Sequence, residues 1–243
     1  MRNNQFIPKD HTGPIRLHLG CQSEYFEGYI NIDLPADAQT VETVRADINA
    51  DVRDLVYDAG TVDEVRSHHL LEHFSRAEAL VLLARWHKWL KVGGKIVVET
   101  PDFEESARKF LHASFDDQCK LGRHMFGSQE AAWAVHREYW YEKKYKFILE
   151  RLGFGNVVCE KFSNNLEKKV PFARHLHART VEKVLKPLES MGFNVLPNII
   201  CTAEKIRPAE DYEKIIEDIL ARSMVGSETA MINVWMQEVH GKI

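Results

Sequence analysis

The stretch that decides the fold is residues 15–34, IRLHLGCQSEYFEGYINIDL. It reads as an apolar strand over Ile15–Leu19, a turn at Gly20 and a second strand over Tyr29–Asp33. Glycine permits a sharp turn and the close approach of a ligand, and an acid after the second strand can accept hydrogen bonds from both ribose hydroxyls. A second glycine is expected two residues after Gly20, but Gln22 stands there. The stretch therefore indicates either a nucleotide-cofactor loop or a tight turn with a capping aspartate.

Strands and helices alternate after this opening, which favours a mostly parallel sheet with helices on both faces. The sequence SRAE, with Ser75 and Glu78 three residues apart, predicts a capping box at the start of a helix that ends at the glycine pair 93–94. Further strands are predicted at Val41–Ile48, Thr61–His68, Lys95–Thr100, Val157–Phe162 and Asn198–Lys205. Further helices are predicted at Glu138–Leu152, Thr180–Met191 and Pro208–Met224, with Phe103–Lys120 partly helical.

The whole chain, residues 1–243, is expected to form a single α/β domain, because no linker, repeat or low-complexity tract divides it. We divide it into an N-terminal arm (1–14), a cofactor-binding half (15–103), a substrate-side half with an insertion (104–207) and a helical C-terminal extension (208–243).

Composition excludes several classes of function. The formal net charge is −4, so the chain lacks the basic character of a nucleic-acid-binding protein. No window is apolar enough to insert into a membrane, and MRNNQFIPKD contains no apolar signal core. Cys159 and Cys201 read as buried thiols, which predicts a reducing compartment, and the missing signal core and membrane span predict a cytoplasmic location. The apolar C-terminal run MINVWMQEV suggests a homodimer.

A second acid lies at the end of the third predicted strand. In DVRDLVYDAGTVDEV, Asp51 precedes the apolar Val52. Its carboxylate could accept the amino group of an adenine, while a neighbouring backbone N–H reads a ring nitrogen. Because ligands of open α/β sheets bind at the carboxyl ends of the strands, the loops at Gly20, Asp33 and Asp51 are expected to converge on one adenosine.

These features together resemble the class I S-adenosylmethionine-dependent methyltransferases. The resemblance is to the short bacterial type often found with surface-polysaccharide biosynthesis, and it covers about residues 15–103. The matching stretches are LHLGCQSEYFEGYINIDL, DVRDL, TVDEVRSHHLLEHFSRAEA and WLKVGGKIVVETPDF. It implies a Rossmann-like fold, S-adenosyl-L-methionine as cofactor and S-adenosyl-L-homocysteine as product.

The resemblance also implies roles for individual residues. Asp33 would hold the ribose, Asp51 would bind adenine with Asp47 as the alternative, and Glu72 and His73 match an LEH signature beside the methyl-donor pocket. The implied cofactor-binding set is Leu19, Gly20, Cys21, Gln22, Asp33, Leu34, Asp51, Val52, His68 and His69. The chain departs from the family twice, with Gln22 in place of the usual glycine and His18 in place of a frequent acid.

Methyl transfer to a hydroxyl requires alignment with the methyl group and a base that removes the proton, and histidine suits the base near neutral pH. The candidate catalytic residues are His69, His73 and His136. The candidate substrate-binding residues are Asp102, His124, Gln129, His136 and Tyr139. Each has a structural alternative: a hydrogen-bonded core histidine, a helix cap at Asp102, or an aromatic anchor at Tyr139. No metal site is expected.

The predicted function is therefore methyl transfer to a small-molecule acceptor, a hydroxyl of a sugar, nucleotide-sugar or glycan precursor. The alternative is a binding or scaffold protein that keeps the methyltransferase fold without activity, and Gln22 and His18 motivate it. An aminopropyl transferase is disfavoured because no pair of carboxylates for a substrate amine is evident beside the loop.

Overall fold

The computed structural model describes residues 6–8, 11–36, 43–163 and 196–243. Its strands are β1 (Arg16–Leu19), β2 (Ile30–Asp33), β3 (Ile48–Asn49), β4 (Val62–His68), β5 (Leu90–Pro101), β6 (Phe154–Ser163) and β7 (Pro197–Lys205). They form one seven-stranded sheet in the order β3-β2-β1-β4-β5-β7-β6. Strands β3, β2, β1, β4 and β5 are neighbours in that order and pair in parallel, whereas β7 runs antiparallel to both β5 and β6. The predicted fold class, an α/β protein with a mostly parallel sheet, is confirmed.

The helices are α1 (Arg76–Trp89), α2 (Phe103–Phe110), α3 (Phe115–Phe126), α4 (Glu142–Leu152), α5 (Tyr212–Ala221) and α6 (Thr229–Gln237). Short 3-10 turns lie at Leu71–His73 and Ala132–Ala134. The predicted capping box is present, because the Ser75 hydroxyl accepts from the N–H of Glu78 and the Glu78 carboxylate accepts from the N–H of Ser75. This cap fixes where α1 starts, directly after the loop that follows β4.

The central strands are buried, so they form a rigid base for the loops at their ends. Leu17, Leu19, Ile32 and Val65 are each fully buried. Burying such a side chain stabilises the fold by about 1.5–3 kcal/mol. Since β1, β2 and β4 are parallel, their carboxyl ends meet at one edge of the sheet.

Several predicted boundaries were wrong. Residues 41–42 of the predicted strand Val41–Ile48 lie outside the described residues, and in the described part β3 starts only at Ile48, because Ile48 and Asn49 alone pair with β2. Helix α1 ends at Trp89, before the glycine pair, because Leu90 pairs with Val62 in the sheet.

The predicted helices in the second half also start later than expected. α4 begins at Glu142 rather than Glu138, because the preceding segment is extended and Trp140 bridges to Asp102. α5 begins at Tyr212, capped by Asp211, rather than at Pro208. The predicted helix Thr180–Met191 lies outside the described residues.

The interpretation of Cys159 and Cys201 as separate buried thiols was wrong. The two residues face each other on the antiparallel strands β6 and β7, with Cα atoms 4.2 Å apart, and form a disulfide. Cys21 and Cys119 are free cysteines.

The C-terminal helices close the molecule against α1. Met236 and Val239 are buried in the core, and the Ser75 hydroxyl donates a 2.6 Å hydrogen bond to the Glu238 carboxylate. Within the described ranges, no helix combines the length and the apolar character needed to cross a membrane.

Candidate cofactor and acceptor site

A cavity of about 1000 Å³ lies at the carboxyl ends of β1, β2 and β4. Gly20, Asp33 and Asp51 all line it, and so do His68, His69, His73, His124 and His136. The three loops expected to meet around an adenosine therefore share one cavity with the histidines expected to carry the chemistry. Its volume is at the upper end of the range for small-molecule sites.

Gly20 is required by the packing of the protein itself. Its φ is +71°, and its N–H donates to the carbonyl of Ile32 at 3.0 Å. A Cβ at this position would lie 2.9 Å from the Cβ of Leu70 and 3.1 Å from the carbonyl oxygen of His68. The turn after β1 thus packs directly on the loop after β4, which brings the two halves of the cavity together.

Gln22 occupies the position where a glycine was expected, and its backbone has a conformation that glycine adopts most easily. Its φ is +45°, in the left-handed region that favours glycine. Its N–H donates to Asp33 Oδ2 at 2.6 Å, and its carbonyl accepts from the N–H of Arg45 at 2.7 Å. The Gln22 side chain is exposed, so it lines the cavity without filling it.

Asp33 ends β2 with its carboxylate held by the backbone. Oδ1 accepts from the N–H of Leu34 at 2.7 Å and Oδ2 accepts from Gln22. Burial raises the pKa of Asp33, and these two backbone N–H groups act in the opposite direction. A carboxylate has about four acceptor positions, so two remain for the hydroxyls of a ribose.

Asp51 rather than Asp47 faces the cavity. The Asp51 carboxylate accepts from the guanidinium of Arg53, with Nη2 and Oδ2 2.5 Å apart; burial acts to raise its pKa, but the hydrogen bonds from Arg53 lower it. Asp47 holds Asn31 and the hydroxyl of Tyr25 instead, outside the cavity lining. Asp47, the alternative adenine ligand, is therefore engaged in hydrogen bonds within the fold.

Next to Asp51, Val52 is buried and lines the cavity, which provides an apolar wall for an aromatic ring. This chemistry fits an adenosine: an apolar wall at Val52, a carboxylate beside it and a second carboxylate with free acceptor positions.

Three residues of the opening stretch lie in the core rather than on the cavity wall. Leu19 and Cys21 are fully buried, and the thiol of Cys21 donates to the carbonyl of Arg45. His18 is buried, stacks on Phe26 and donates through Nδ1 to Asn31 Oδ1 at 3.0 Å. Burial lowers the pKa of His18 to about 4, so its ring is neutral. His18, which stands where the family often has an acid, therefore does not line the cavity.

At the other end of the cavity, imidazoles and carboxylates form one connected cluster. His69 Nδ1 lies 3.1 Å from Glu72 Oε1 and Nε2 lies 3.3 Å from Glu99 Oε1. His68 Nε2 also reaches Glu99 Oε1, at 3.0 Å. Because carboxylates only accept, both ring nitrogens of His69 act as donors and none is left to take a proton. His69, a candidate catalytic base by sequence, is therefore placed as a cation.

The pKa shifts of this cluster agree with that placement. Burial disfavours the charged form of His69, but its bonds to Glu72 and Glu99 outweigh burial and raise its pKa to about 10. Burial likewise opposes ionisation of both carboxylates, yet the imidazoles lower the pKa of Glu72 and of Glu99 to about 2. His69 has a φ of +43°, and strained backbone of this kind concentrates at functional sites.

The remaining cavity histidines come from both halves, since His73 follows β4 whereas His124 and His136 lie after residue 103. The rings of His73 and His136 meet edge to face, with centroids 4.8 Å apart. Burial lowers the pKa of His136 and lowers that of His124 to about 4, so both are neutral. His124 Nε2 donates to the carbonyl of Pro197 at 2.7 Å.

The other candidate substrate residues lie away from the cavity lining. Asp102 is fully buried and caps α2 by accepting from the N–H of Glu105, which is its structural alternative. Gln129 is not among the lining residues, although Ser128 and Glu130 are. Tyr139 stacks on Tyr141 outside the cavity.

Sequence reasoning missed Glu99 and the cavity cations. Glu99 lies in the buried part of β5, where a charged residue among apolar ones is itself a signal. Lys120, Arg123 and Arg137 line the cavity but read in the sequence as ordinary surface charges.

Comparison with known proteins bears on the cofactor-binding half. Residues 16–98 match the family model described as a methyltransferase domain. No curated protein matches the chain.

Solved structures resemble the chain over most of its length. An S-adenosylmethionine-dependent methyltransferase from Mesorhizobium loti has 15% identity and a TM-score of 0.48, covering 79% of this chain and 91% of that one. One from Archaeoglobus fulgidus has 20% identity and a TM-score of 0.45, covering 79% and 87%. A phosphoethanolamine N-methyltransferase from Haemonchus contortus, in complex with phosphomonomethylethanolamine and S-adenosylhomocysteine, has 16% identity and a TM-score of 0.45, covering 84% and 52%.

The sheet order and the family match together identify the fold. A seven-stranded, mostly parallel sheet whose β7 is antiparallel matches the Rossmann-like fold of class I S-adenosylmethionine-dependent methyltransferases. The cofactor of this class is S-adenosylmethionine.

Proposed function

We propose, from this class I methyltransferase fold, that the chain transfers a methyl group from S-adenosylmethionine to a small-molecule acceptor, a hydroxyl of a sugar, nucleotide-sugar or glycan precursor. One observation carries the proposal: a single cavity joins Gly20, Asp33 and Asp51 to the histidines at its other end. The cofactor supplies an activated methyl group on a positively charged sulfur. The protein has to orient the acceptor, exclude water and manage one proton.

Cofactor binding is assigned to the β1, β2 and β3 loops. Asp33 would accept the two ribose hydroxyls, and Asp51 with Val52 would contact the adenine. Gly20 would lie against the methionine part, and His68 and Leu70 would close the methyl-donor side. Leu19 and Cys21 support this loop from the core.

Proton removal is assigned to His136. It lines the cavity beside His73, whereas His69 has both ring nitrogens engaged by carboxylates. His136 Nδ1 or Nε2 would accept the hydroxyl proton as the acceptor oxygen attacks the methyl group. Removing a general base costs a factor of about 10²–10⁴ in rate, so His136→Gln should lower the turnover number by that range. The exposed His112→Gln serves as the matched control.

The acceptor class is supported by the charges of the cavity wall. Arg123 and Arg137 are exposed side chains that line the cavity, and guanidinium groups bind phosphate oxygens in pairs. A phosphate-bearing acceptor, such as a nucleotide sugar, would find both a cationic wall and a proton acceptor. Association with surface-polysaccharide synthesis and a cytoplasmic location remain predictions from the sequence.

The test is a methyl-transfer assay with the purified full chain. Tritiated S-adenosylmethionine is incubated with nucleotide sugars, sugar phosphates, free sugars and a matched set of amines. The expected result is acceptor-dependent transfer of tritium to the phosphorylated hydroxyl compounds, with S-adenosylhomocysteine as the other product. Transfer to amines alone would contradict the hydroxyl assignment, and failure to bind the cofactor at millimolar concentration would contradict the enzyme.

The second candidate is a scaffold protein with the fold but without activity, favoured by the strained Gln22 in the cofactor loop. It is distinguished by tight binding of S-adenosylhomocysteine with no transfer to any acceptor. A homodimer through α6 is a further proposal, because Met231 and Val234 on that helix are exposed. Sedimentation at micromolar concentration tests it, and a monomer would contradict it.

A further inference from the structure

We propose that Glu72, His73 and His136 bind a divalent transition-metal ion at the acceptor end of the cavity. The ligand atoms that these three side chains offer lie within 4.8 Å of one another. Metal–ligand distances near 2.1 Å separate neighbouring ligands by about 3–4 Å, so a closure of about 1–2 Å at most completes the site. The binding site depends on these residues alone, whereas its role in catalysis rests on the proposed methyl transfer.

Two of the three side chains carry polar atoms that have no partner in the fold. Glu72 is 1% exposed, and its Oε2 has no hydrogen-bond partner among the described residues. The buried Nδ1 of His73 is also without one in that part of the chain. Leaving a buried polar group unpaired is destabilising, and more so when the group is charged. A metal ion coordinated through Glu72 Oε2 and His73 Nδ1 would satisfy both atoms.

A second cluster nearby, formed by His68, His69 and Glu99, is a poorer metal site. There Glu99 Oε1 already accepts hydrogen bonds from both imidazoles, at 3.0 and 3.3 Å. This cluster instead orients the proposed site, because His69 Nδ1 holds Glu72 Oε1 at 3.1 Å. Such outer partners of a metal-binding carboxylate fix its direction and tune its affinity.

The backbone holds the proposed ligands in place. The carbonyl of Glu72 accepts from the N–H groups of Arg137 and Glu138, at 2.8 and 3.1 Å, which ties the segment that carries His136 to the 3-10 turn that carries Glu72 and His73. Gly127, with φ +85°, permits the close contact on the other side. A Cβ there would lie 3.0 Å from the backbone nitrogen of His136 and even closer to the carbonyl oxygen of Ala134.

The ligand set determines the class of metal. Two imidazoles and one carboxylate suit Zn²⁺, Mn²⁺, Fe²⁺ or Co²⁺, whereas Mg²⁺ and Ca²⁺ prefer oxygen ligands. Three protein ligands leave at least one coordination position open, as in catalytic zinc sites. His73 and His136 line the cavity, so that position faces the acceptor.

The open position gives the ion a role in the reaction. Coordination would lower the pKa of the acceptor's hydroxyl, and its proton would pass to solvent. The oxygen then forms the C–O bond as the C–S bond breaks, and the electron pair of that bond stays on sulfur. The products are the methyl ether, neutral S-adenosylhomocysteine and one proton. With the metal bound, the His136 lone pair coordinates the ion and cannot accept the hydroxyl proton. The ion then activates the acceptor hydroxyl in place of His136.

The binding test uses the full chain without a polyhistidine tag, stripped with a chelator and dialysed. Calorimetric titration with Zn²⁺, and with Co²⁺ followed by its visible absorption, should give one equivalent. Glu72→Gln and His136→Asn should each weaken binding by at least tenfold, while His112→Asn should not change it. Circular dichroism establishes that the variants fold, and His136→Asn remains informative if Glu72→Gln unfolds. Binding that is absent, or equal in all proteins, would overturn the site.

The catalytic role has a separate readout. If the stripped enzyme regains methyl transfer only when metal is added, the role is supported. If the stripped enzyme transfers at the full rate, the metal role is overturned while the proposed function stands. If no acceptor reacts with or without metal, the proposed function fails and the titration alone decides the site.

Discussion

Replacing Asp33 tests the proposed ribose contact separately from the rest of the site. Its carboxylate accepts two backbone N–H groups, from Gln22 at 2.6 Å and Leu34 at 2.7 Å, and retains about two acceptor positions. Hydrogen bonds to a charged group contribute about 1.5–3 kcal/mol each. Asp33→Ala should therefore weaken S-adenosylhomocysteine binding by about 3 kcal/mol, a factor of about 100 in Kd. The measurement is isothermal titration calorimetry, with the exposed Asp58→Ala as control.

Asp33→Ala also removes the acceptor for Gln22, so a loss of affinity alone could report a disturbed loop. A double cycle resolves this by titrating adenosine and 2′,3′-dideoxyadenosine into both proteins. The wild-type protein should prefer adenosine, and Asp33→Ala should bind the two nucleosides with nearly equal Kd values. An undiminished preference for adenosine in Asp33→Ala would refute the ribose assignment, whatever happens to the overall affinity.

Three further predictions concern the stability of the fold. Gly20→Ala should lower the free energy of unfolding in urea by about 1–3 kcal/mol, because its Cβ would meet Leu70 at 2.9 Å; an unchanged midpoint would contradict this packing. Gln22→Gly should be more stable than Gln22→Ala by about 0.5–1 kcal/mol, because φ is +45° there, and equal stabilities would show that no strain is stored. Burial, reinforced by the charge of Lys205, lowers the pKa of His87 from 6.5 to about 4. The neutral His87 ring therefore stabilises the fold fully above pH 6.5, and this stabilisation is lost as the pH falls towards 4. His87 alone should account for about 2 kcal/mol of the stability lost between pH 7 and pH 5, so in urea unfolding His87→Gln should lose about 2 kcal/mol less than the wild-type protein; an equal loss in both proteins would argue against this histidine.

The opening of the fold was predictable because its signals are local. The apolar strand before Gly20 and the capping box at Ser75 depend on residues close together in the chain. The edge at which Gly20, Asp33 and Asp51 meet follows from one rule, since parallel strands place their carboxyl ends together. This rule needs no knowledge of how the side chains pack.

The remainder depends on contacts between distant segments. The glycine pair at 93–94 predicts a helix end, but the pairing of Leu90 with Val62 extends β5 through it. The register of β6 and β7, which joins Cys159 to Cys201, is not visible in either strand alone.

The placement of His136 beside Glu72 also depends on contacts between distant segments. His136 is brought to Glu72 by backbone hydrogen bonds across more than 60 residues of sequence, at Arg137 and Glu138. Asp102 is the opposite case. It is a candidate substrate residue by sequence, but in the structure it caps the start of α2. Residues of these types in these positions suggested chemistry, but only the packing decides which of them face the cavity.

The most direct test of the account is a crystal structure of the full chain with S-adenosylhomocysteine. We expect the ribose hydroxyls on the Asp33 carboxylate, the adenine beside Asp51 and Val52, and the sulfur directed towards His73 and His136. Electron density for the nucleoside away from Asp33, or a Gln22 side chain folded into the space meant for the cofactor, would contradict the account.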